Sequence, residues 1–206
     1  MAKSIRIYAD NPDPKAIAQV VTQLESGGII IYPSDTVYAM GCSINNKKAI
    51  ERLLRLKGWH KDKSTLSFVC ANLSDLSSYV TPLDNATFKL LKRALPGPYT
   101  FILSGNNDLP PVFKKRKEVG IRIPDHHIPI SIVTALGHPI VTASIKDPDQ
   151  VIEYTTDPEL IREYWDKHVD LIIDGGIGGN QPSTIIDVTQ NPPVVLREGL
   201  GSLDVL

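Results

Sequence analysis

The chain has 206 residues, of which 42% are hydrophobic and 22% charged, and its formal net charge at pH 7 is −1. A chain of this length can bury a sizeable core, and its composition is that of a globular rather than a disordered protein. Because the net charge is close to zero, no overall positive field attracts nucleic acid, so any RNA binding needs a local basic groove.

The cysteines and the hydropathy indicate a cytoplasmic protein. Cys42 and Cys70 are too few and too far apart for a disulfide framework or a cysteine-rich zinc module, so a reducing compartment is expected. The first residues lack the apolar stretch of a signal peptide. No segment approaches the roughly 20 apolar residues of a membrane span, so we expect no membrane association.

Strand and helix patterns alternate along the first half of the chain. In order, they predict a strand at residues 5–9, a helix at 14–26, a buried strand at 29–32, a helix capped by Asn45 or Asn46 that reaches Lys57, a strand at 66–70, a helix capped by Asp84, and a strand at 99–103. Gly27 and Gly28 end the first helix, and Pro96-Gly97-Pro98 ends the helix that Asp84 caps.

The second half continues the alternation and closes with short strands. The patterns predict strands at 119–123 and 139–144 around a short helix at 130–136, a helix at 157–168, and strands at 171–174, 184–188 and 193–197. No repeat, low-complexity tract or linker interrupts the chain, so we expect one domain over residues 1–206. The alternation predicts an α/β fold with a sheet flanked by helices, and the closely spaced late strands favour a mixed sheet.

Several common nucleotide and metal motifs are absent. The chain has no G-x-x-x-x-G-K-[ST] phosphate loop. The glycine cluster Gly175-Gly176-Ile177-Gly178-Gly179 leads into a strand rather than a helix, so it lacks the context of a dinucleotide fingerprint and is interpreted as a loop between strands. Asp125-His126-His127 has no second ligand cluster nearby, so no protein metal site is expected.

Candidate anion-binding side chains lie at the ends of the predicted elements, where ligands collect in open α/β sheets. They are Ser34, Asp35, Thr36, Lys57, Arg122, Ser144, Lys146, Ser183, Thr184 and Arg197. Lysine offers a point charge to a phosphate, whereas arginine offers a planar fork that suits phosphate or carboxylate.

Each candidate also has a purely structural interpretation. Lys57 at the end of a helix can simply favour the helix macrodipole. The hydroxyls of Ser144, Ser183 and Thr184 can bond to nearby backbone. Arg122, between two isoleucines of a short apolar strand, is expected to face either solvent or a partner. The basic run at residues 114–117 is typical of a solvated face, with an RNA contact as the alternative.

Five short strings, in order along residues 5 to 200, resemble the YrdC/YciO family. Tyr32-Pro33-Ser34-Asp35-Thr36-Val37-Tyr38 resembles the family pattern Y-P-T-D-T-V-Y, and Pro96-Gly97-Pro98-Tyr99-Thr100 resembles P-G-P-x-T. Val119-Gly120-Ile121-Arg122-Ile123-Pro124 resembles V-G-x-R-x-P. Ser183-Thr184-Ile185-Ile186-Asp187 resembles S-T-[VI]-[VI]-D, and Leu196-Arg197-Glu198-Gly199 resembles L-R-E-G. The chain looks most similar to the YciO branch, through Lys-Asp-Lys at 61–63 and Pro-Ile-Val-Thr-Ala-Ser at 139–144.

The resemblance implies a fold and a reaction. The fold would be a single twisted open sheet whose concave side forms a positively lined cavity. The reaction would be that of L-threonylcarbamoyl-AMP synthases, which use ATP, L-threonine and bicarbonate, release pyrophosphate and supply a group for adenosine 37 of tRNA. ATP would be a substrate that carries its own Mg²⁺, with no tightly bound protein metal. The family has also been described as binding double-stranded RNA.

The resemblance also assigns roles to residues. It implies catalytic roles for Lys57 and Ser144. It implies nucleotide binding by Lys57, Trp59, Ser144, Lys146, Ser183 and Arg197. It implies substrate binding by Ser34, Thr36, Arg122 and Ser183.

Departures from the family pattern leave two hypotheses open. Where the family has K-x-R, this chain has Lys57-Gly58-Trp59, and where it has S-x-N, this chain has Ser144-Ile145-Lys146. His60 stands where the family has a proline, and Phe68 stands where a histidine often lines the threonine pocket. Lysine at 146 would restore charge but not the bidentate geometry of the lost arginine. The chain is therefore expected to be either a weak synthase or a non-catalytic protein that binds double-stranded RNA, tRNA or a nucleotide, with a different acyl-adenylate reaction as a third possibility.

Overall fold

The computed structural model describes residues 1–58, 66–107, 109, 113, 117–145 and 152–206. The strands are β1 (Lys3–Arg6), β2 (Ile30–Tyr32), β3 (Ala39–Ser43), β4 (Ser67–Val69), β5 (Tyr99–Ser104), β6 (Glu118–Arg122), β7 (Ile140–Ser144), β8 (Leu171–Asp174), β9 (Thr184–Asp187) and β10 (Val194–Arg197). The helices are α1 (Pro14–Glu25), α2 (Lys47–Leu56), α3 (Leu73–Leu76), α4 (Asn85–Ala94), α5 (His127–Leu136), α6 (Glu153–Thr156) and α7 (Pro158–Trp165), with a 3₁₀ turn at Leu203–Val205.

All ten strands belong to one mixed sheet. Their order across the sheet is β1-β8-β2-β3-β7-β4-β6-β5-β9-β10. The pairs β1–β8, β8–β2, β4–β6 and β5–β9 are parallel, and the other five neighbouring pairs are antiparallel. The sheet is open, because β1 and β10 form its two edges. The predicted α/β class with a mixed sheet flanked by helices is therefore confirmed.

Most predicted elements are present, with two differences among the strands. The first strand covers Lys3–Arg6 rather than residues 5–9, because it is residues 3 to 6 that pair with β8. Strand β3 was not predicted at all, although its five residues are all buried near the middle of the sheet. Its sequence, Ala-Met-Gly-Cys-Ser, has neither β-branched residues nor an alternating pattern, so sequence periodicity could not reveal it.

Side-chain caps fix where the main helices begin. Asp13 accepts a hydrogen bond from the Lys15 backbone N–H at 3.1 Å at the start of α1. Of the two predicted caps for α2, Asn46 is the one used, and its Oδ1 accepts the Ala49 N–H at 3.0 Å. Each such cap satisfies backbone donors that have no partner inside the helix.

The two faces of the sheet are covered unequally. Helices α2, α4 and α7 contribute to the core on one face. On the other face, α1 and α5 pack over side chains from β2, β3, β4, β7 and β8. The core on that second face includes no described residue of β5, β6, β9 or β10, and the site lies largely against these strands. None of the described helices is long and apolar enough to cross a membrane.

Candidate functional site

A cavity of about 320 Å³ lies on this second face of the sheet. Its floor follows from strand register. Thr142 lies opposite Ser67, Ser67 opposite Gly120, and Gly120 opposite Ile102, so one row of residues crosses β7, β4, β6 and β5. Residues directly opposite one another point to the same face of a sheet. Around this floor the cavity is also lined by Lys57, Thr100, Arg122, Ser144, Ser183 and Arg197.

Gly120 leaves room for the side chains of Ser67 and Thr100, which line the cavity. A Cβ atom at this position would lie 2.5 Å from Ser67 Oγ and 3.2 Å from Thr100 Cγ2. Both distances are too short for an unadjusted contact, so a larger residue would have to displace a neighbour that lines the cavity. The glycine of the V-G-x-R-x-P string is therefore explained by close packing at the site.

Arg122 is buried at the edge of this floor, with 6% of its surface exposed. Its Nη2 donates to Asp35 Oδ1 at 2.8 Å and to Thr36 Oγ1 at 2.9 Å. Among the residues that the structure describes, its buried Nε has no hydrogen-bond partner. The expectation that Arg122 faces solvent or a partner molecule was incomplete, because an ion pair holds the side chain inside the protein by Nη2, while Nε and Nη1 have no partner among the described residues.

Ser34 and Thr36 lie behind Arg122 rather than in the described lining of the cavity. Ser34 Oγ donates to the Val37 carbonyl at 2.7 Å and lies 3.1 Å from Thr36 Oγ1. Thr36 is 1% exposed. These hydroxyls therefore shape the loop that follows β2 and support the guanidinium of Arg122.

Ser183 joins two elements at the opposite side of the floor. Its Oγ lies 2.8 Å from Thr100 Oγ1. Arg197 Nη2 donates to the Ser183 carbonyl at 2.7 Å and to Ser183 Oγ at 3.2 Å. Partial burial, and then the positive charge of Arg122, lower the pKa of Arg197 from its ordinary value. The two arginines therefore repel one another across a shared cavity, which is a favourable setting for an anion.

Lys57 and Ser144 meet where α2 and β7 end. Lys57 is the C-cap residue of α2. Its Nζ donates to the Ser144 carbonyl at 2.6 Å, so the ammonium group reaches across to the end of β7. The purely structural interpretation, in which Lys57 only complements its own helix, does not account for this contact.

The structure thus brings five predicted site residues to one cavity. They are Lys57, Arg122, Ser144, Ser183 and Arg197. Trp59 and Lys146, the two predicted nucleotide contacts that depart from the family pattern, lie outside the described residues, as do His60 and residues 114–116 of the basic run. RNA binding stays a prediction.

Phe68 does not lie in the cavity, contrary to expectation. It is fully buried on the other face of the sheet, where its ring packs edge-on against Tyr79 and Phe113 at centroid distances of 5.6 and 4.8 Å. The preceding residue, Ser67, lines the cavity instead. Side chains alternate between faces along a strand, and this alternation places residue 67 rather than 68 at the site.

Sequence reasoning missed the floor hydroxyls of Ser67, Thr100 and Thr142. The signal was present, because each sits in a strand whose neighbouring residues are apolar and face the core. Predicting that these three hydroxyls lie side by side requires the register between the strands, which the sequence alone does not provide. Thr142 is already engaged, since its hydroxyl lies 2.6 Å from Tyr32 Oη, and burial raises the pKa of Tyr32 to about 12.

The glycine cluster is a loop between β8 and β9, as interpreted. It packs tightly on the loop that follows β2, since a Cβ at Gly179 would lie 2.1 Å from the Thr36 carbonyl oxygen. Tyr38 Oη fixes the same contact, because it accepts the Gly175 N–H at 3.0 Å and donates to the Gly176 carbonyl at 2.7 Å. This loop therefore supports the segment that holds Arg122.

His126 of Asp125-His126-His127 has a structural role. His126 Nδ1 accepts the Ile128 N–H at 3.3 Å and so caps α5. Burial lowers the pKa of His126, although the nearby Asp35 carboxylate opposes the change. Within the described part of the chain, no group of three or more His, Cys, Asp or Glu side chains is arranged to hold a metal ion.

Comparison with known proteins gives consistent matches. The Sua5/YciO/YrdC family model, described as "Telomere recombination", matches residues 22–199. YciO of Escherichia coli K12 is 41% identical over 206 residues, which is 98% of each chain. The crystal structure of E. coli YciO superposes with a TM-score of 0.92 at 40% identity, covering 100% of this chain and 99% of that one.

More distant relatives carry a functional name. The threonylcarbamoyl-AMP synthase of Nitrosococcus oceani is 32% identical over 166 residues, covering 80% of this chain and 88% of its own. Sua5 of P. abyssi complexed with L-threonine superposes with a TM-score of 0.83 at 26% identity, over 97% of this chain and 57% of that protein. The family model and the full-length match together show that the chain belongs to the Sua5/YciO/YrdC family.

Proposed function

We propose that the cavity binds ATP and L-threonine and that the protein forms L-threonylcarbamoyl-AMP at a low rate. The observation that carries the proposal is that three cations, Lys57, Arg122 and Arg197, line one cavity whose described lining contains no carboxylate. Like charges that share a site disfavour one another's charged form. A ligand with carboxylate and phosphate oxygens would relieve that repulsion.

Family membership narrows the choice of ligand. Relatives at about 30% identity are named threonylcarbamoyl-AMP synthases, and Sua5 of P. abyssi, at 26%, has been crystallised with L-threonine. In our assignment, Arg122 receives the threonine carboxylate, supported from behind by Ser34 and Thr36. Lys57 and Arg197 neutralise the phosphates of the nucleotide, and Ser144 and Ser183 lie beside those two cations.

Formation of threonylcarbamoyl-AMP depends more on positioning of the reactants than on acid–base groups of the protein. The amino nitrogen of threonine attacks the carbon of bicarbonate, water leaves and a carbamate forms. A carbamate oxygen then attacks the α-phosphorus of ATP, and pyrophosphate leaves with the electron pair of the broken P–O bond. Alignment of the reactants and neutralisation of phosphate charge account for most of the acceleration in such reactions. A cavity that combines two arginines, a lysine and hydroxyls suits this task.

Mg²⁺ would enter with ATP. Magnesium is usually held by a nucleotide's phosphates and by water rather than by a dedicated protein cage. The cavity's described lining contains no carboxylate, so the chain's own contribution at this point is positive charge from Lys57 and Arg197.

The low rate is proposed from two residues that depart from the synthase pattern. Tryptophan at 59 replaces an arginine and lysine at 146 replaces an asparagine. A lysine at 146 restores the charge of the arginine lost at 59 but not the planar two-point contact of its guanidinium. Binding of the nucleotide would survive these changes better than alignment of its α-phosphate.

The test is pyrophosphate release. The protein is incubated with ATP, Mg²⁺, L-threonine and ¹⁴C-bicarbonate, and both pyrophosphate and labelled adenylate are followed while each component is omitted in turn. We expect slow release that needs both L-threonine and bicarbonate and is lost in Arg122→Met. Release independent of L-threonine would refute the proposed substrate, and absence of both products would refute synthase activity.

A further inference from the structure

Asp35 is an acidic residue that contacts a cavity-lining arginine, and the described lining itself contains three cations and no carboxylate. Its side chain and that of Arg122 are each 7% exposed. Oδ1 accepts Nη2 of Arg122 at 2.8 Å, and Oδ2 accepts the backbone N–H of Asp125 at 3.1 Å. Both carboxylate oxygens are therefore in use, and neither is directed to a ligand.

These contacts decide which donors of Arg122 remain for a ligand. Nη2 donates to Asp35 and also to Thr36 Oγ1 at 2.9 Å, so both of its protons are used. Nε is buried and has no partner in the described part of the chain. No described residue accepts a hydrogen bond from Nη1, so Nη1 is the donor that remains for a ligand. The Asp125 contact ties the same carboxylate to the segment just before α5, so Arg122 is fixed from two elements. A guanidinium anchored at one nitrogen presents the rest of its donors in a constant direction.

Resting on the proposed function, we infer that Asp35 is a positioning residue for the amino-acid substrate, acting through Arg122. Its carboxylate holds the guanidinium by Nη2 so that the accessible part of the group stays in the cavity lining, and it compensates the arginine charge when the cavity is empty. An uncompensated buried charge is strongly unfavourable, so the arginine depends on this partner. At the nucleotide end, the hydrogen bonds of Lys57 to the Ser144 carbonyl and of Arg197 to Ser183 involve neither Asp35 nor Arg122.

Asp35→Asn is an informative change because it keeps the shape of the side chain. Asparagine has one acceptor oxygen and one NH₂ group. Whichever way the amide turns, its NH₂ group faces either the Arg122 Nη2 donor or the Asp125 N–H donor, so one of the two contacts is lost. Asp170→Asn is the control for loss of a carboxylate charge beside an arginine outside the described cavity lining, since Asp170 Oδ2 accepts Arg52 at 2.6 Å and the Ile29 N–H at 2.7 Å.

The experiment measures two affinities by calorimetry for each variant. The probes are AMP alone and L-threonine in the presence of saturating ATP and Mg²⁺. For Asp35→Asn we expect at least about a tenfold loss of L-threonine affinity, or about 1.4 kcal/mol, with AMP affinity within about twofold of wild type. Asp170→Asn should change neither affinity. Combining Asp35→Asn with Arg122→Met should weaken L-threonine binding no further than Arg122→Met alone, because the first acts through the second.

Other outcomes separate the alternatives. Equal losses for AMP and L-threonine would mean that Asp35 only stabilises the fold, and unchanged L-threonine affinity would mean that it positions nothing; either result overturns the inference while the proposed function stands. If wild type binds neither probe, the proposed function fails and the inference with it. If Asp35→Asn does not fold, Asp35→Glu, which keeps the charge but displaces the carboxylate, decides by the same two affinities.

Discussion

Lys57→Ala tests whether the cationic side of the cavity binds a nucleotide. Lys57 Nζ donates to the Ser144 carbonyl at 2.6 Å, which places the ammonium group at the rim of the cavity. A hydrogen bond to a charged group contributes about 1.5–3 kcal/mol, and part of that is offset because the side chain is not fully buried. We therefore expect AMP affinity to fall by about 1–3 kcal/mol, or about 5- to 150-fold.

The assay is isothermal titration of AMP at constant ionic strength. Lys48→Ala is the control, because Lys48 is an exposed lysine on the same helix and lies outside the described cavity lining. The Lys48→Ala variant should bind AMP with the same affinity as wild type. If Lys57→Ala and Lys48→Ala bind AMP equally well, Lys57 does not contact the nucleotide and the assignment of that side of the cavity is wrong.

Three further predictions address packing, pH and the departures from the family pattern. Gly120→Ala should lower the free energy of unfolding by about 1–3 kcal/mol, as overpacking does, and Ser67→Gly should recover part of this loss in urea unfolding; an unchanged midpoint would contradict the close packing. Because burial lowers the pKa of His126 below 6.5, the unfolded chain binds more protons and stability falls as pH drops below about 6.5. His126→Asn, which keeps a helix cap, should reduce this dependence, whereas an identical pH profile would contradict it. Trp59→Arg combined with Lys146→Asn should raise adenylate formation by more than the two single changes added as free energies, since the residues would share one ligand; no gain in the double variant would show that these positions do not limit the reaction.

Much of the fold could be predicted from the sequence because most elements carry a clear local pattern. The caps at Asp84 and Asn46, and the apolar face of α2, are local features that tertiary packing did not override. Strand β3 was missed because its burial comes from its central place in the sheet and not from its residue types. Its position depends on pairing with β2 and β7. Because β7 lies far from β3 along the chain, no local sequence pattern specifies this pairing.

The candidate site was predictable only in part for a similar reason. Lys57, Arg122 and Arg197 stand in short strings that resemble family motifs, so the sequence could nominate them together. That Ser67 rather than Phe68 faces the cavity depends on strand register and on the alternation of side chains. The ion pair between Asp35 and Arg122 joins residues 87 positions apart, and no local pattern reveals such a contact.

The proposed function requires that ATP and L-threonine share the cavity on the second face of the sheet. The most direct measurement is an experimental structure of the protein with a non-hydrolysable ATP analogue, Mg²⁺ and L-threonine. We expect the phosphates within hydrogen-bonding distance of Lys57 and Arg197, and the threonine carboxylate within hydrogen-bonding distance of the Arg122 guanidinium. Ligands bound elsewhere, or an unoccupied cavity at saturating ligand concentrations, would contradict the account.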